Sequence, residues 1–255
     1  MVRSKVKSIL LTVDLETDFG VFETTKCMGV LSAFLNMLDE NGIRATFFVN
    51  GKLIPKFSDE LREIGKRHEI ACHGLDHERL TGKPIGQVRD ELTRLKKLFK
   101  DNIGVNPIGF RAPFFRTNKD ILEMLPELGF RYDSSLVPGI LPGRYFNLTA
   151  KGEPYMVGKL LEIPISRNVV PFGSTWFQLI GKKNFSWLFS AHKKYNNVIY
   201  AHLNEFCGAD FDLGLKRRLF YRNRGEKVLK DFGEFLKECK KDYEFGLCRD
   251  LLKKT

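Results

Sequence analysis

Short apolar runs alternate with amphipathic stretches along the first half of the chain, and this alternation restricts the fold more than any other feature. The run Ile9-Leu10-Leu11-Thr12-Val13-Asp14-Leu15-Glu16 reads as a buried strand. Residues 25–40 then set Met28, Leu31, Phe34, Leu35 and Leu38 at helical spacing before an Asn41-Gly42 stop signal. Residues 45–49 read as a strand, 58–66 as a helix with Ser58 as N-cap, and 69–72 as a short strand. The stripe Val88, Leu92, Leu95, Leu98 and Phe99 marks a helix over 84–100. A strand at 108–111, a helix at 118–128 and a strand at 130–132 follow. Strand and helix in strict turn predict an α/β fold built on a mainly parallel sheet or barrel.

From 137 to 159 the pattern gives way to Pro- and Gly-punctuated sequence, including Pro138-Gly139 and Pro142-Gly143, which reads as a long surface excursion. Residues 160–164 resume a strand that Pro164 marks as an edge or an early end. Residues 170–177 read as an aromatic-rich loop, and 198–202 as the last core strand, ending in His202. Residues 215–241 are strongly basic and largely helical, with Val228, Leu229, Phe232, Phe235 and Leu236 as the inward stripe. No linker or fixed-period repeat interrupts the chain, so residues 1–255 are expected to form a single domain.

Forty-two Lys and Arg against 31 Asp and Glu leave a net charge of +11, which favours an anionic partner: a phosphate-bearing substrate, an acidic membrane surface or nucleic acid. The apolar stretch behind the basic N-terminal residues 1–7 is too short for a signal-peptide core, and no segment reaches the roughly twenty apolar residues of a membrane span. Five cysteines without a C-x-x-C pair favour a reducing cytoplasm. Cys72, beside a histidine, reads as a buried structural thiol, with metal ligation or nucleophilic attack as its alternatives.

The residues able to carry chemistry fall at predicted strand ends. Period-two geometry puts Ile9, Leu11, Val13 and Leu15 on one face of the first strand and Leu10, Thr12, Asp14 and Glu16 on the other. Asp14, Glu16 and Asp18 therefore crowd one mouth, an arrangement that needs a cation, an arginine or a shared proton unless the acids simply cap a solvated turn. His73 and His77, four apart after the third strand, are expected on one face of a helical turn. Two histidines, a carboxylate and an open position form a common ligand set for catalytic zinc. Arg111 ends the fourth strand, where a guanidinium can hold a carboxylate by paired hydrogen bonds. His202 ends the last strand, with Glu205 close behind. Parallel barrels and open α/β sheets assemble active sites at these ends.

Thr12-Val13-Asp14, His73-x-x-x-His77, Arg111-Ala112-Pro113-Phe114 and Tyr200-Ala201-His202, in that order, resemble the motifs of the polysaccharide deacetylase, or NodB-homology, family over nearly the whole chain. The loop from Pro171 to Phe177, residues 201–205 and the basic tail look most like its exopolysaccharide-synthesis branch. The resemblance implies a distorted (β/α) barrel of about seven strands and metal-dependent removal of an acetyl group from an amino sugar or glycan. It implies Asp14 as base, oriented by Arg111; His202 as proton donor to the leaving amine; and Zn²⁺ or another divalent metal on Glu16, His73 and His77, with the backbone N–H of Phe114 at the oxyanion. Leu15 stands where the family has its metal-binding Asp, so ligation passes to Glu16, with Asp18 as the alternative. Gly74 replaces the usual Ser or Thr, and the family's Asp-Trp motif is not evident, which leaves Glu205 as a possible partner of His202.

Phe114, Trp176 and Glu205 are the expected substrate contacts. Phe172, Trp176 and Phe177 are expected either to stack on a sugar or to close the barrel end. Without a secretion signal, the substrate is expected to be an amino sugar linked to a nucleotide or lipid phosphate, handled in the cytoplasm or at the inner membrane face. Lys216, Arg217, Arg218, Arg222 and Arg224 either meet its phosphate or form a solvated basic face. An amidase or deformylase acting on another small amide uses the same machinery. A basic membrane- or nucleic-acid-binding protein is the non-enzymatic alternative, disfavoured by the intact site and by the lack of a nucleic-acid-binding motif.

Overall fold

The computed structural model describes residues 7–253 apart from 142–144, 149 and 193, and without the side chains of residues 141, 145, 146 and 216. The basic residues 1–6, the Pro142-Gly143 turn and the Lys216 side chain lie outside this description. The strands are β1 (Ser8–Leu15), β2 (Thr46–Val49), β3 (Glu69–Cys72), β4 (Gly109–Phe110), β5 (Tyr132–Asp133), β6 (Gly139–Leu141), β7 (Tyr145–Asn147), β8 (Tyr155–Val157), β9 (Leu160–Glu162), β10 (Asn196–His202) and β11 (Glu244–Gly246). The helices are α1 (Leu31–Glu40), α2 (Ser58–Arg67), α3 (Ile85–Ile103), α4 (Lys119–Met124), α5 (Ser174–Ser190), α6 (Gly214–Phe220) and α7 (Glu226–Cys239).

The strands β10-β1-β2-β3-β4-β5-β9 run parallel in that order, and β8 adds an antiparallel edge. The sheet curls until the segment after β9 meets β10, where Ser166 N–H donates to Val198 O at 3.1 Å. The expected barrel of about seven strands is thus present among the described residues. Alternation along β1 builds two cores. Ile9, Leu11, Val13 and Leu15 face the helices, while Leu10 packs inside the barrel with Phe48, Ala71, Tyr132, Leu161 and Val198. Cys248 and Leu251 join that inner cluster from the C-terminal segment.

Several local expectations change. The helix expected over 25–40 opens as a 3₁₀ turn at Lys26–Val30, and Ser58 is the first helical residue of α2, with Phe57 as N-cap and no side-chain capping bond. Past Asn118, whose side chain caps α4 through Ile121 N–H, the helix tightens to 3₁₀ geometry at Leu125–Leu128, around Pro126. The excursion holds a β6–β7 hairpin and the edge strand β8. The aromatic loop becomes helical at Ser174, because Phe177, Phe185 and Phe189 bury one side of α5 against Phe232 and Phe235 of α7. The basic segment divides into α6 and α7, and β11 adds a parallel strand beside the start of β1. All five cysteines are buried and free of disulfides, and no helix among the described residues is long and apolar enough to cross a membrane.

Candidate active site

Parallel register sets Asp14, near the end of β1, directly opposite His202 on β10. The Asp14 carboxylate is buried, and its Oδ1 accepts a 2.6 Å bond from Arg111 Nη1. Arg111 is wholly buried. Its Nη1 also reaches Thr12 Oγ1 at 2.9 Å, its Nε and Nη2 donate to Ser134 O and Oγ at 2.8 Å each, and its guanidinium carbon sits 4.0 Å from the centre of the Phe48 ring. The paired contact expected from sequence is therefore a single bond. Arg111 spends its other donors on Ser134 and Thr12, and Asp14 Oδ2 is left without a hydrogen-bond partner.

Glu16 points the same way as Asp14, as period two requires. Its Oε2 lies 2.5 Å from His77 Nε2 and 3.6 Å from His73 Nε2, and one ligand atom from each of the three lies within 4.8 Å of the others. His73 Nδ1 is 2.9 Å from Arg111 O and His77 Nδ1 is 2.9 Å from Gly20 O. A carbonyl only accepts, so both Nδ1–H groups donate and both Nε2 atoms are turned toward Glu16. The residues fit a metal ion on this ground: the lone pair of a neutral His77 Nε2 facing a carboxylate oxygen at 2.5 Å repels it unless a cation, proton or metal, lies between. Burial alone raises the Glu16 pKa, yet the two imidazoles hold it well below the usual carboxylate range.

The histidines converge through a tight bend, not the expected helical turn, since Gly74 has φ +72° and His77 φ +54°. At Gly74 a Cβ would also fall 2.7 Å from Pro113 Cγ, which accounts for glycine in place of Ser or Thr; at Gly20, φ +64°, a Cβ would collide with the His77 ring. The positive-φ residues Phe19, His77, Phe114 and Phe115 all lie around this site, where backbone strain concentrates when the surrounding structure imposes it. Asp18 is equally buried but saturated: Thr24 Oγ1 and Lys26 N–H donate to Oδ2 at 2.6 and 2.8 Å, and Cys27 N–H to Oδ1 at 2.8 Å. It ties down the loop and is not part of the cluster.

His202 Nε2 faces Asp14 Oδ2 at 3.6 Å, and its Nδ1 faces Glu205 Oε1 at the same distance. Burial alone lowers the His202 pKa; Glu205 behind it, with Glu16 and Asp14 in front, overcomes this and pushes it up to about 9. The substrate contact expected of Glu205 is corrected by its position: fully buried, it accepts from Thr175 Oγ1 at 2.7 Å and Ser174 Oγ at 3.1 Å and does not reach the cavity wall. It sits behind His202.

Above these groups opens a cavity of about 520 Å³. Phe114 and Trp176 line it, and the Phe114 ring lies 4.7 Å from the ring of His77. Phe172 and Phe177 belong to the core. Arg217 reaches the wall together with Arg79 and Arg116, Arg218 and Arg222 are exposed, and Arg224 packs over Phe211. Sequence reasoning missed Ser134, Ser174, Thr175 and Asn204, whose Oδ1 accepts from Phe19 N–H at 2.9 Å. Of these, Ser174-Thr175 just ahead of Trp176 carried a usable signal, two hydroxyls opening an aromatic-rich helix.

Comparison with known proteins agrees with this geometry. The polysaccharide deacetylase family model matches residues 2–132. A peptidoglycan deacetylase-like protein of Gibberella zeae is 34% identical over 152 residues, 52% of this chain and 45% of that protein. The peptidoglycan deacetylase of Helicobacter pylori is 33% identical over 104 residues, 40% of this chain and 36% of its own. The matched segment thus spans less than half of either relative. A Mycobacterium smegmatis structure assigned to the polysaccharide deacetylases aligns at TM-score 0.71 and 22% identity, covering 99% of this chain and 91% of the other. A family 4 carbohydrate esterase from Streptomyces lividans in complex with acetate aligns at TM-score 0.58 and 15% identity, covering 96% and 94%. At these identities the structural likeness speaks for the fold.

Proposed function

Because the chain belongs to the polysaccharide deacetylase family, we propose that it is a metal-dependent hydrolase that removes an N-acetyl group from an amino sugar or glycan. The observation that carries this reading is the convergence of Glu16, His73 and His77 within 4.8 Å of one another, beside a buried Asp14 with one unpartnered oxygen.

Glu16 Oε2 and the Nε2 atoms of His73 and His77 are the atoms that would hold a divalent transition metal, Zn²⁺ being the best match to this donor set. When bound, such an ion supplies Lewis acidity, lowering the pKa of a water and polarising the amide carbonyl. Asp14 acts as the base. Arg111 anchors Oδ1, which leaves Oδ2 to take the proton of the attacking water. His202, whose pKa of about 9 keeps the imidazolium populated at neutral pH, donates to the leaving amine with Glu205 steadying its other nitrogen. The backbone N–H of Phe114 faces the developing oxyanion by family resemblance, and Trp176 offers a flat apolar surface to a sugar ring.

The preferred substrate is an amino sugar linked to a phosphate or a phosphate-bearing lipid, met in the cytoplasm or at an anionic membrane surface, in keeping with the exopolysaccharide branch. Arg79, Arg116 and Arg217 on the cavity wall support this. So do the lack of lining acids beyond Asp14 and Glu16 among the described residues and the charge of +11. The test is product analysis with N-acetylated amino sugars, neutral and phosphorylated, on the metal-loaded enzyme. Acetate release that vanishes in Asp14→Asn is expected. Formate without acetate from the true substrate would make the protein a deformylase instead.

A further inference from the structure

Two buried carboxyls near the site take no part in the chemistry above. Asp133 closes β5 and Glu162 closes β9, and the parallel register sets them side by side, both fully buried. Two carboxylates set side by side in a buried site repel each other, and the repulsion is relieved when one of them takes a proton. Burial pushes both pKa values up, and the Asp133 charge pushes Glu162 further. Glu162 Oε2 meets no hydrogen-bond partner among the described residues.

Three oxygens of the pair grip one short segment. Asp133 Oδ2 accepts from Ser135 N–H at 2.9 Å, Asp133 Oδ1 from Ser135 Oγ at 2.7 Å, and Glu162 Oε1 from Leu136 N–H at 3.1 Å. That segment in turn holds Arg111. Ser134 presents its carbonyl to Nε and its hydroxyl oxygen to Nη2, and the same hydroxyl donates to Ile163 O at 2.7 Å. Ser135 Oγ also accepts the N–H of Ala112, at 2.8 Å, fixing the backbone beside Arg111. A continuous line of bonds therefore runs from the carboxyl pair through residues 134–136 to the guanidinium and on to Asp14.

We infer that Asp133 and Glu162 form a positioning clamp that aims Arg111 at Asp14. The inference rests on Asp14 being the base. Neither carboxyl touches the cavity; each acts through Ser134, Ser135 and Leu136. Displacing a catalytic group by about 1 Å costs on the order of 100-fold in rate while leaving substrate binding intact, and that separation sets the clamp apart from a merely structural role.

The experiment compares Glu162→Gln with Glu162→Met in the metal-loaded full chain. Glutamine keeps an oxygen for Leu136 N–H and offers an N–H donor to the Asp133 carboxylate, so kcat should stay within about threefold of the original enzyme. Methionine has similar volume but offers no oxygen to Leu136 N–H and no donor to Asp133, so kcat should fall by about 30-fold with KM changed less than about threefold and metal content unchanged. Equal losses in the two variants, or full kcat in a folded Glu162→Met, would overturn the clamp. Should Glu162→Met not fold, Ser135→Ala makes the same test, with about a fivefold loss of kcat at constant KM expected and no loss overturning the proposal. A second readout is independent of turnover. The Arg111 Nε–H signal, identified by its disappearance in Arg111→Lys, should exchange with solvent about tenfold faster in Glu162→Met or Ser135→Ala and remain protected in Glu162→Gln. If that pattern holds while no amino sugar releases acetate, the clamp stands and the deacetylase reading fails.

Discussion

At the N-terminal end of the barrel Glu69 is buried with both carboxylate oxygens filled. Thr46 Oγ1 and Arg249 N–H donate to Oε2 at 2.8 and 3.1 Å, and the Tyr132 hydroxyl donates to Oε1 at 3.0 Å. At the C-terminal end Asp14 and His77 are buried to a similar degree, yet Asp14 Oδ2 and His77 Nε2 find no hydrogen-bond partner. Burial is alike in the two clusters, but completeness is not. Folding satisfies nearly every polar group that it hides, so two open atoms side by side in one cavity mark a place for a further proton, ion or substrate. The closed cluster contributes stability, and the open one holds groups ready for chemistry.

The largest effect should come from the open end. Asp14→Asn leaves the metal cluster intact and removes the proton acceptor, so turnover should fall by about 10³-fold in a steady-state assay at unchanged metal content. Retained turnover would remove Asp14 from its role. The mirror experiment at the closed end is Glu69→Ala, which strands two hydroxyls and a backbone N–H. It should cost about 3 kcal/mol in denaturant unfolding while leaving kcat within about twofold. A matching loss of activity would show that the two ends are not separable.

A third prediction follows from His202. Its pKa is raised above that of a free imidazole, so the protonated form is favoured in the folded protein. Its contribution is complete below about pH 6.5 and is lost as pH rises through about 9. Activity should decline over the same range, by about tenfold per unit above it. Glu205→Gln removes the carboxylate behind Nδ1 and should move that alkaline limb toward neutrality; an unmoved limb would separate Glu205 from His202. The smallest effect is reserved for Asp18→Asn. It loses an acceptor for Thr24 or Lys26 and should lower stability by about 1 kcal/mol without altering metal affinity.

Much of the barrel was legible because β1 follows period two so closely: Leu10, Thr12 and Asp14 face inward and Ile9, Leu11 and Val13 outward, as the pattern requires. The strand-end positions of Arg111, His73 and His202 were legible for the same reason. What the pattern could not separate was Glu16 from Asp18, because the donors that saturate Asp18 include the backbone N–H groups of Lys26 and Cys27, in a loop whose path depends on tertiary packing. The neighbourhood of Asp133 and Glu162 was hidden behind the excursion between them and appears only once β5 and β9 are in register. Helix α5 was missed because Gly173 and Gly181 flank its first turns, while the stripe that stabilises it meets α7 from much later in the chain.

The central claim is that Glu16, His73 and His77 hold one divalent metal ion. It is tested most directly by the metal stoichiometry of the purified, metal-equilibrated chain, measured beside the His73→Ala, His77→Ala double variant. One ion per chain in the first and none in the second is the predicted result. Equal stoichiometry in both would contradict the account.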